Sequence, residues 1–372
     1  MILSRLSLSN FRIHKNINLT FSDTLNYIVG GNGQGKTSLL EAVYYFCTTK
    51  SFNAKDIEAV SFSENDFEIN GFFNDLTEDK IRVIFSVPEN RKYYFQNDKL
   101  ISRSSQIIGK YPVVILTPAD HAITQGSPAE RRKLVDSIIS QASGTYLEIL
   151  LDYNRILKQR SIVLNRLREN FTMSSVAELE AWTEKLIENG VELSHHRIKF
   201  VDSFNKYVSD SYKKIIGDKE NPSIQYSYLD DKTESETINL FRSLINEKKD
   251  EELRRGVNLV GPHRDDFIFK INEISLRTYG SQGQHKTFQT ALRFAEFFYL
   301  KDTSGKTPIF LLDDVFGELD AYRAGKISEY LKEVGQAFIT LTDFADFSFL
   351  KKDEKDLIIK LENGNIAYAW WI

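Results

Sequence analysis

Cysteine is almost missing from this sequence: the 372 residues hold one, Cys47. A lone cysteine excludes an intramolecular disulfide and a cysteine-based zinc site, and Cys47 reads as a small apolar residue inside a helix. Long apolar runs are missing too. No run approaches the ~18 residues of a membrane span, and the start, MILSRLSLSNFRIHKNINL, alternates too finely for a signal peptide. A soluble cytoplasmic protein is expected, with no membrane partner. Strong charge of either sign is also lacking, since 48 Lys and Arg face 52 Asp and Glu, a net charge of −4. That offers no global attraction to nucleic acid, so any DNA binding must come from a local patch. Repeats and low-complexity segments are absent. With 41% hydrophobic and 27% charged residues, the composition is ordinary for a globular chain, and at ~100 to 200 residues per domain the length suggests two units.

The opening alternates apolar and polar residues (Leu6, Leu8, then Ile17, Leu19, Phe21), the period of half-buried strands. TLNYIVG is a short strand entering a Gly-rich loop, after which Leu39, Ala42, Val43 and Phe46 fall at helical spacing. FEINGFF, KIRVIFSV and KYYFQNDKLI read as an antiparallel meander. Helical patterns begin at GSPAERRKLVDSIIS, with Ser127 as N-cap and Pro128 at the first helical position. They run to about Asn170, break at FTMSS, and resume from Val176 to about Ile216. Two long helices with a short connection run antiparallel. The strand SIQYSYL and a helix from about Glu234 to Arg255 follow, and AFITLT is expected as the last strand.

The stretch GGNGQGKTS satisfies GxxxxGK[ST] through Gly30, Gly35, Lys36 and Thr37. Glycines let backbone N–H groups turn toward phosphates, and a helix N-terminus favours negative charge. Lys36 reaches the outer phosphates and Thr37 ligates magnesium. The nucleotide would touch Gly30, Gly31, Asn32, Gly33, Gln34, Gly35, Lys36, Thr37 and Ser38. GKT at Gly305 to Thr307 is a decoy, because Leu300 stands where the first glycine would be. A nucleoside triphosphatase also needs a carboxylate for its metal, at the end of a buried strand. IFLLDD supplies Asp313 for Mg2+ and Asp314 to polarise the attacking water. The two motifs lie far apart in the chain, so a long insertion is implied. GSQGQ, Gly280 to Gln284, precedes another helix and offers a second N-terminus suited to a phosphate.

In this order, GGNGQGKTS, YGSQGQ, LLDDVFGELD and FITLTD resemble the ATP-binding-cassette ATPases. LSLSNFRIHKNINLTF is similar to the heads of SMC and RecF proteins, and LTPADHAITQGSPAERRKLVDSIISQ and GVNLVGPHRDDFIF look like the RecF family specifically. The resemblance implies an α/β ABC-type ATPase head, with a mixed sheet around the P-loop and an antiparallel β subdomain, carrying an inserted α-helical arm. The expected boundaries are 1–115 for the first half of the head, 116–230 for the arm and 231–372 for the second half. It also implies that ATP and Mg2+ are bound and that ATP drives homodimerisation. A clamp on double-stranded DNA near gaps or junctions, a weak DNA-dependent ATPase, and RecR, RecO and RecA as partners in repair and the SOS response follow from the same resemblance.

Carried over residue by residue, Ser281, Gly283 and Gln284 belong to the signature that closes over a second subunit's nucleotide. Asp320 ends the loop that crosses the dimer, and Arg12, in NFR, lies near the nucleotide. Arg131, Arg132, His263, Arg264 and Asp266 match family stretches without an assigned role. The signature keeps only part of LSGGQ, Thr342 or Asp343 stands where transporters carry a histidine, and Gln125 lies outside the context of a magnesium-sensing glutamine. Asp314 is shorter than the usual glutamate, which argues against fast hydrolysis. Between Ser127 and Asn170 eight basic residues (Arg131, Arg132, Lys133, Arg155, Lys158, Arg160, Arg166, Arg168) face five acids, a local patch for DNA. Trp182, Tyr207 and Tyr212 read as core. The competing classes are a nuclease of the overcoming-lysogeny type, whose appended nuclease domain is not expected in the roughly 30 residues given after the last expected strand, and a transporter ATPase, disfavoured by the arm and the degraded signature.

Overall fold

The computed structural model describes residues 1–75, 77–227, 234–318, 320–343, 350 and 353–371. The chain begins with β1 (Ile2–Phe11), β2 (His14–Thr20) and β3 (Leu25–Val29), then α1 (Lys36–Thr48). β4 (Asp66–Asn74), β5 (Glu78–Ser86), β6 (Arg91–Gln96), β7 (Lys99–Ile101) and β8 (Val113–Leu116) come next. The helical stretch holds α2 (His121–Gln125), α3 (Pro128–Ala142), α4 (Gly144–Glu169) and α5 (Met173–Ile216), followed by β9 (Pro222–Ser227) and α6 (Glu234–Arg255). After β10 (Asp266–Ile271), β11 (Ile274–Ser275), α7 (Leu276–Tyr279) and α8 (Gln282–Ser304), the chain closes with β12 (Ile309–Leu312), α9 (Ala321–Leu331), β13 (Ala337–Leu341), β14 (Leu357–Glu362) and β15 (Asn365–Trp371).

The chain forms two compact units: residues 1–120, 210–219 and 289–372 in one, residues 121–209 and 220–288 in the other. The boundary expected at 230/231 lies outside the described residues. In the first unit one sheet has the order β2-β1-β4-β5-β6-β7, antiparallel throughout. Alternation sets its inner face, with Leu6, Leu8, Ile17, Leu19, Phe67, Ile69, Ile81 and Val83 buried. The other sheet has the order β15-β14-β3-β13-β12-β8, parallel except for β15. β3, β8, β12 and β13 are buried at every residue, as continuous apolar strands covered on both faces must be. Leu39, Leu40, Val43 and Phe46 of α1 join side chains of both sheets in one core, each fully buried side chain contributing about 1.5–3 kcal/mol.

In the second unit α4 and α5 run antiparallel, as their short connection requires. Arg166 meets Glu178, Arg160 meets Thr183, and Arg197 meets Tyr146, so partners move in opposite directions along the chain. Val163, Leu164, Leu167 and Leu179 form the seam, with Trp182 against it. Tyr212 is buried. A small sheet, β11-β10-β9, completes the unit.

The structure differs from the sequence expectations at four places. The break at FTMSS is shorter than the motif, because α5 already starts at Met173. KYYFQNDKLI is two strands, β6 and β7, joined at Asn97 and Asp98. Ser127 stands at the N-cap of α3 but makes no side-chain cap bond. AFITLT is not the last strand, since β14 and β15 follow. Among the described residues no helix is long and apolar enough to cross a membrane.

Candidate nucleotide site

Because β3, β13 and β12 are parallel neighbours, their C-terminal ends lie side by side. The glycine loop leaves β3 and the acidic pair leaves β12, with β13 between them. Thr340 of β13 fills the gap: its hydroxyl donates to Asp313 Oδ1 at 2.9 Å and accepts the Asp314 N–H at 2.8 Å. Thr37 Oγ1 lies 2.9 and 3.0 Å from the two carboxylate oxygens of Asp313. Two motifs separated by most of the chain therefore share one hydrogen-bonded cluster.

Gly35 stands at the N-cap of α1 in the left-handed conformation (φ 97), and the first turn holds no acidic residue and no side-chain cap. The first N–H groups of a helix lack intrahelical partners, so this end is open to an anion. Lys36 Nζ donates to the carbonyls of Gly30 at 2.7 Å and Gly31 at 3.0 Å, which leaves one of its three donors. Burial pulls the Lys36 ammonium below its usual range, against the opposing charges of Asp314 and Asp313. Burial likewise raises the Asp313 carboxyl above the usual range, and the Thr340 and Thr37 hydroxyls counter it. Asp314 is exposed and holds φ 51, a conformation uncommon outside glycine that points to a constrained position.

A cavity of about 910 Å3 opens beside the loop, walled by Gly33, Gly35, Thr37 and Ser38 and by Arg12, Ile13, Ile57 and Phe62. Phe62 is 97% exposed, a free ring at its rim. Arg12 is fixed there by Glu41 of α1, with Nε and Nη2 2.8 and 2.7 Å from its two oxygens, while Nη1 reaches the Glu58 carbonyl at 2.9 Å. Gly31 and Asn32 lie exposed on the loop, and Gln34 accepts the N–H of Asn363.

Among the described residues no cluster of three or more His, Cys, Asp or Glu could hold a metal. Mg2+ bound with a nucleotide needs one or two protein ligands, the rest being phosphate oxygens and water. A hydroxyl and a carboxylate within 3.0 Å of each other, Thr37 and Asp313, fit that demand.

Ser281, Gly283 and Gln284 belong to the second unit. Ser281 Oγ accepts the Gln284 N–H at 3.2 Å and Gln284 Oε1 accepts the Ser281 N–H at 2.9 Å, a reciprocal capping box at the start of α8. The Gly283 carbonyl accepts the Thr287 hydroxyl at 2.9 Å. Asp320 caps α9 through the Arg323 N–H at 3.0 Å, and that bond, with the Arg323 guanidinium, holds its carboxyl below the usual range.

The basic patch read from α3 and α4 is smaller than its composition. Arg131 is 3% exposed and grips Asp266 at 2.7 and 2.9 Å. Arg160 is buried against Glu252 and Asn258, each at 2.6 Å. Arg132 donates to the Asp265 carbonyl and Arg166 to Glu178. Lys133, Arg155 and Lys158 are exposed. The GPHRDD residues brace the same unit: the Pro262 carbonyl accepts from Arg197 at 2.8 Å, and Arg264 Nη2 donates to the Asn258 carbonyl at 2.7 Å. His263 Nε2 lies 3.2 Å from the Asn258 carbonyl and Nδ1 2.8 Å from the Tyr153 hydroxyl. Since a carbonyl only accepts, the neutral ring carries its proton on Nε2 and accepts from Tyr153.

The parallel sheet, the loop on β3 and the acid on β12 define an ATPase head of the ABC/SMC class. The sequence matches the family described as RecF/RecN/SMC N terminal domain over residues 2–346. It is 41% identical over 362 residues to the DNA replication and repair protein RecF of Chloroherpeton thalassium, covering 95% of this chain and 98% of that one. RecF of Desulfitobacterium hafniense is 32% identical over 368 residues, covering 99% of both. A solved structure of the recombination mediator protein RecF with ATP, in the RecFOR pathway, superposes with a TM-score of 0.89 at 30% identity over 100% of this chain and 97% of that one. An Smc head from Pyrococcus furiosus shares the fold, with a TM-score of 0.58 at 16% identity over 100% of this chain and 96% of that one. The chain belongs to the RecF family.

Proposed function

We propose that this chain acts in DNA replication and repair as an ATP-gated DNA clamp, in which ATP assembles a binding surface rather than feeding a substrate. The observation that carries it is the joining of Thr37 and Asp313 beside Lys36. Loop N–H groups and the free donor of Lys36 take the phosphates, and Ile13, Ile57 and the exposed Phe62 offer an apolar wall to the base. Mg2+, held by Thr37 and Asp313, supplies charge neutralisation at the outer phosphates. Asp314 orients the attacking water, and its short side chain makes hydrolysis slow, suiting a release step.

Ser281, Gly283 and Gln284 of one subunit cover the nucleotide of another, with Asp320 at the crossing, so two subunits hold two ATP molecules. The dimer holds duplex DNA near gaps or junctions, and Lys133, Arg155 and Lys158 contribute phosphate contacts. RecR and RecO are partners of this assembly in loading RecA and in the SOS response, and the ATPase is weak and DNA-dependent. The RecF family membership and the named RecFOR relative support this reading. Lys36→Met tests its base: nucleotide titration should show no binding, and retained affinity would refute the loop assignment.

A further inference from the structure

His14 stands at the start of β2, two residues after Arg12, and the phosphate chemistry leaves it without a role. It is fully buried, at 0% exposure. Nδ1 lies 2.6 Å from the Gly364 carbonyl in the β14–β15 turn, and Nε2 lies 3.0 Å from the Gly35 carbonyl in the nucleotide loop. A carbonyl oxygen only accepts, so each of these two bonds needs an N–H on the histidine, and the two together use a proton on both ring nitrogens. The ring presses directly on Gly35, where a Cβ would fall 2.6 Å from His14 Cε1 and 2.7 Å from Nε2. The hairpin touches the loop twice more. The Asn363 N–H donates to the Gln34 side chain, and a Cβ at Gly30 would stand 2.7 Å from the Leu361 carbonyl oxygen. The loop therefore rests on β14 and its turn at Gly30 and at Gln34–Gly35.

We propose that His14 is a positioning residue for the phosphates, setting the Gly35–Lys36 peptide plane and tying it to the β14–β15 turn. A trans peptide is planar, with C=O and N–H on opposite sides. Drawing the Gly35 carbonyl onto His14 therefore turns the Lys36 N–H the other way, toward an anion at the start of α1. The same carbonyl accepts the Leu39 N–H at 3.2 Å, so it is pinned from two directions. A pin matters at this position, because glycine at positive φ has wide backbone freedom. The role rests on the loop being a triphosphate cradle.

The test compares wild type with His14→Ala, His14→Asn and His14→Gln. Fluorescent methylanthraniloyl-ATP is titrated with Mg2+ present, and thermal unfolding is recorded without nucleotide. Asparagine places its amide nitrogen near Nδ1 and keeps the turn bond; glutamine reaches the Nε2 position and keeps the loop bond. The alanine and asparagine variants should each bind about tenfold more weakly, and the glutamine variant within about threefold of wild type, the range of one hydrogen bond. Full affinity in the asparagine variant, or a glutamine variant as weak as asparagine, overturns the proposal whether or not the alanine variant folds. So does an asparagine deficit matched by an equally lower unfolding temperature relative to glutamine. Failure of wild type to bind the probe overturns the cradle reading instead.

Discussion

Arg160→Met separates a buried brace from a DNA contact. Arg160 and Glu252 are 2% and 1% exposed, and among the described residues Glu252 otherwise accepts the Leu259 N–H at 2.7 Å. Methionine fills the space of the aliphatic stem and leaves a carboxylate without its cation. Removing one partner of a buried ion pair costs about 3–5 kcal/mol, and the Asn258 and Thr183 oxygens lose their donors as well. We expect about 4 kcal/mol, which at an m-value of about 2–3 kcal/mol/M lowers the urea midpoint by roughly 1.3–2 M. Trp182, packed against the α4–α5 seam, reports the transition by fluorescence. Adding Glu252→Gln should restore about half the loss, because the amide oxygen still accepts from Leu259 and no charge is stranded. A loss under about 1 kcal/mol, or no recovery in the double variant, would refute the reasoning.

Ser281→Arg should leave nucleotide affinity of the monomer unchanged and abolish ATP-dependent dimers in light scattering; dimers that persist would contradict the role across subunits. Burial holds the His263 ring down to about 4 from an ordinary 6.5. Its stabilisation is fully present above about pH 6.5 and is lost as pH falls through about 4, roughly 3 kcal/mol in all. Asp265, raised by burial to about 6, acts with the opposite sign, giving stability below its ordinary 3.8 that is lost as pH rises through about 6. Comparing His263→Gln with wild type cancels the Asp265 effect, and the difference in unfolding midpoint should shrink as pH drops from 6.5 to 4. A constant difference would show that His263 does not titrate in this window.

The loop and the acid were legible because each is a local pattern: glycines and Lys36 within one turn, and Asp313 at the end of an apolar run. Thr340 and His14 were not, since each acquires its role only when strands distant in sequence become neighbours. One missed element did carry a signal. Asn363-Gly364 lies between the alternating stretches LIIKLE and NIAYAWW, the pattern of a tight hairpin. The basic stretch misled for a physical reason, because composition counts charges without their partners, and Arg131 and Arg160 spend theirs on Asp266 and Glu252. Ser281 illustrates the same limit, since its hydroxyl also caps α8.

The central claim, that ATP assembles a DNA-binding surface, is tested most directly by retention of duplex DNA on the wild-type protein with ATP and Mg2+, with ADP and without nucleotide. Each arm is run across about 50 to 200 mM salt, where phosphate contacts lose affinity steeply. The account predicts retention that requires ATP and falls with salt. Equal retention with and without nucleotide would contradict it.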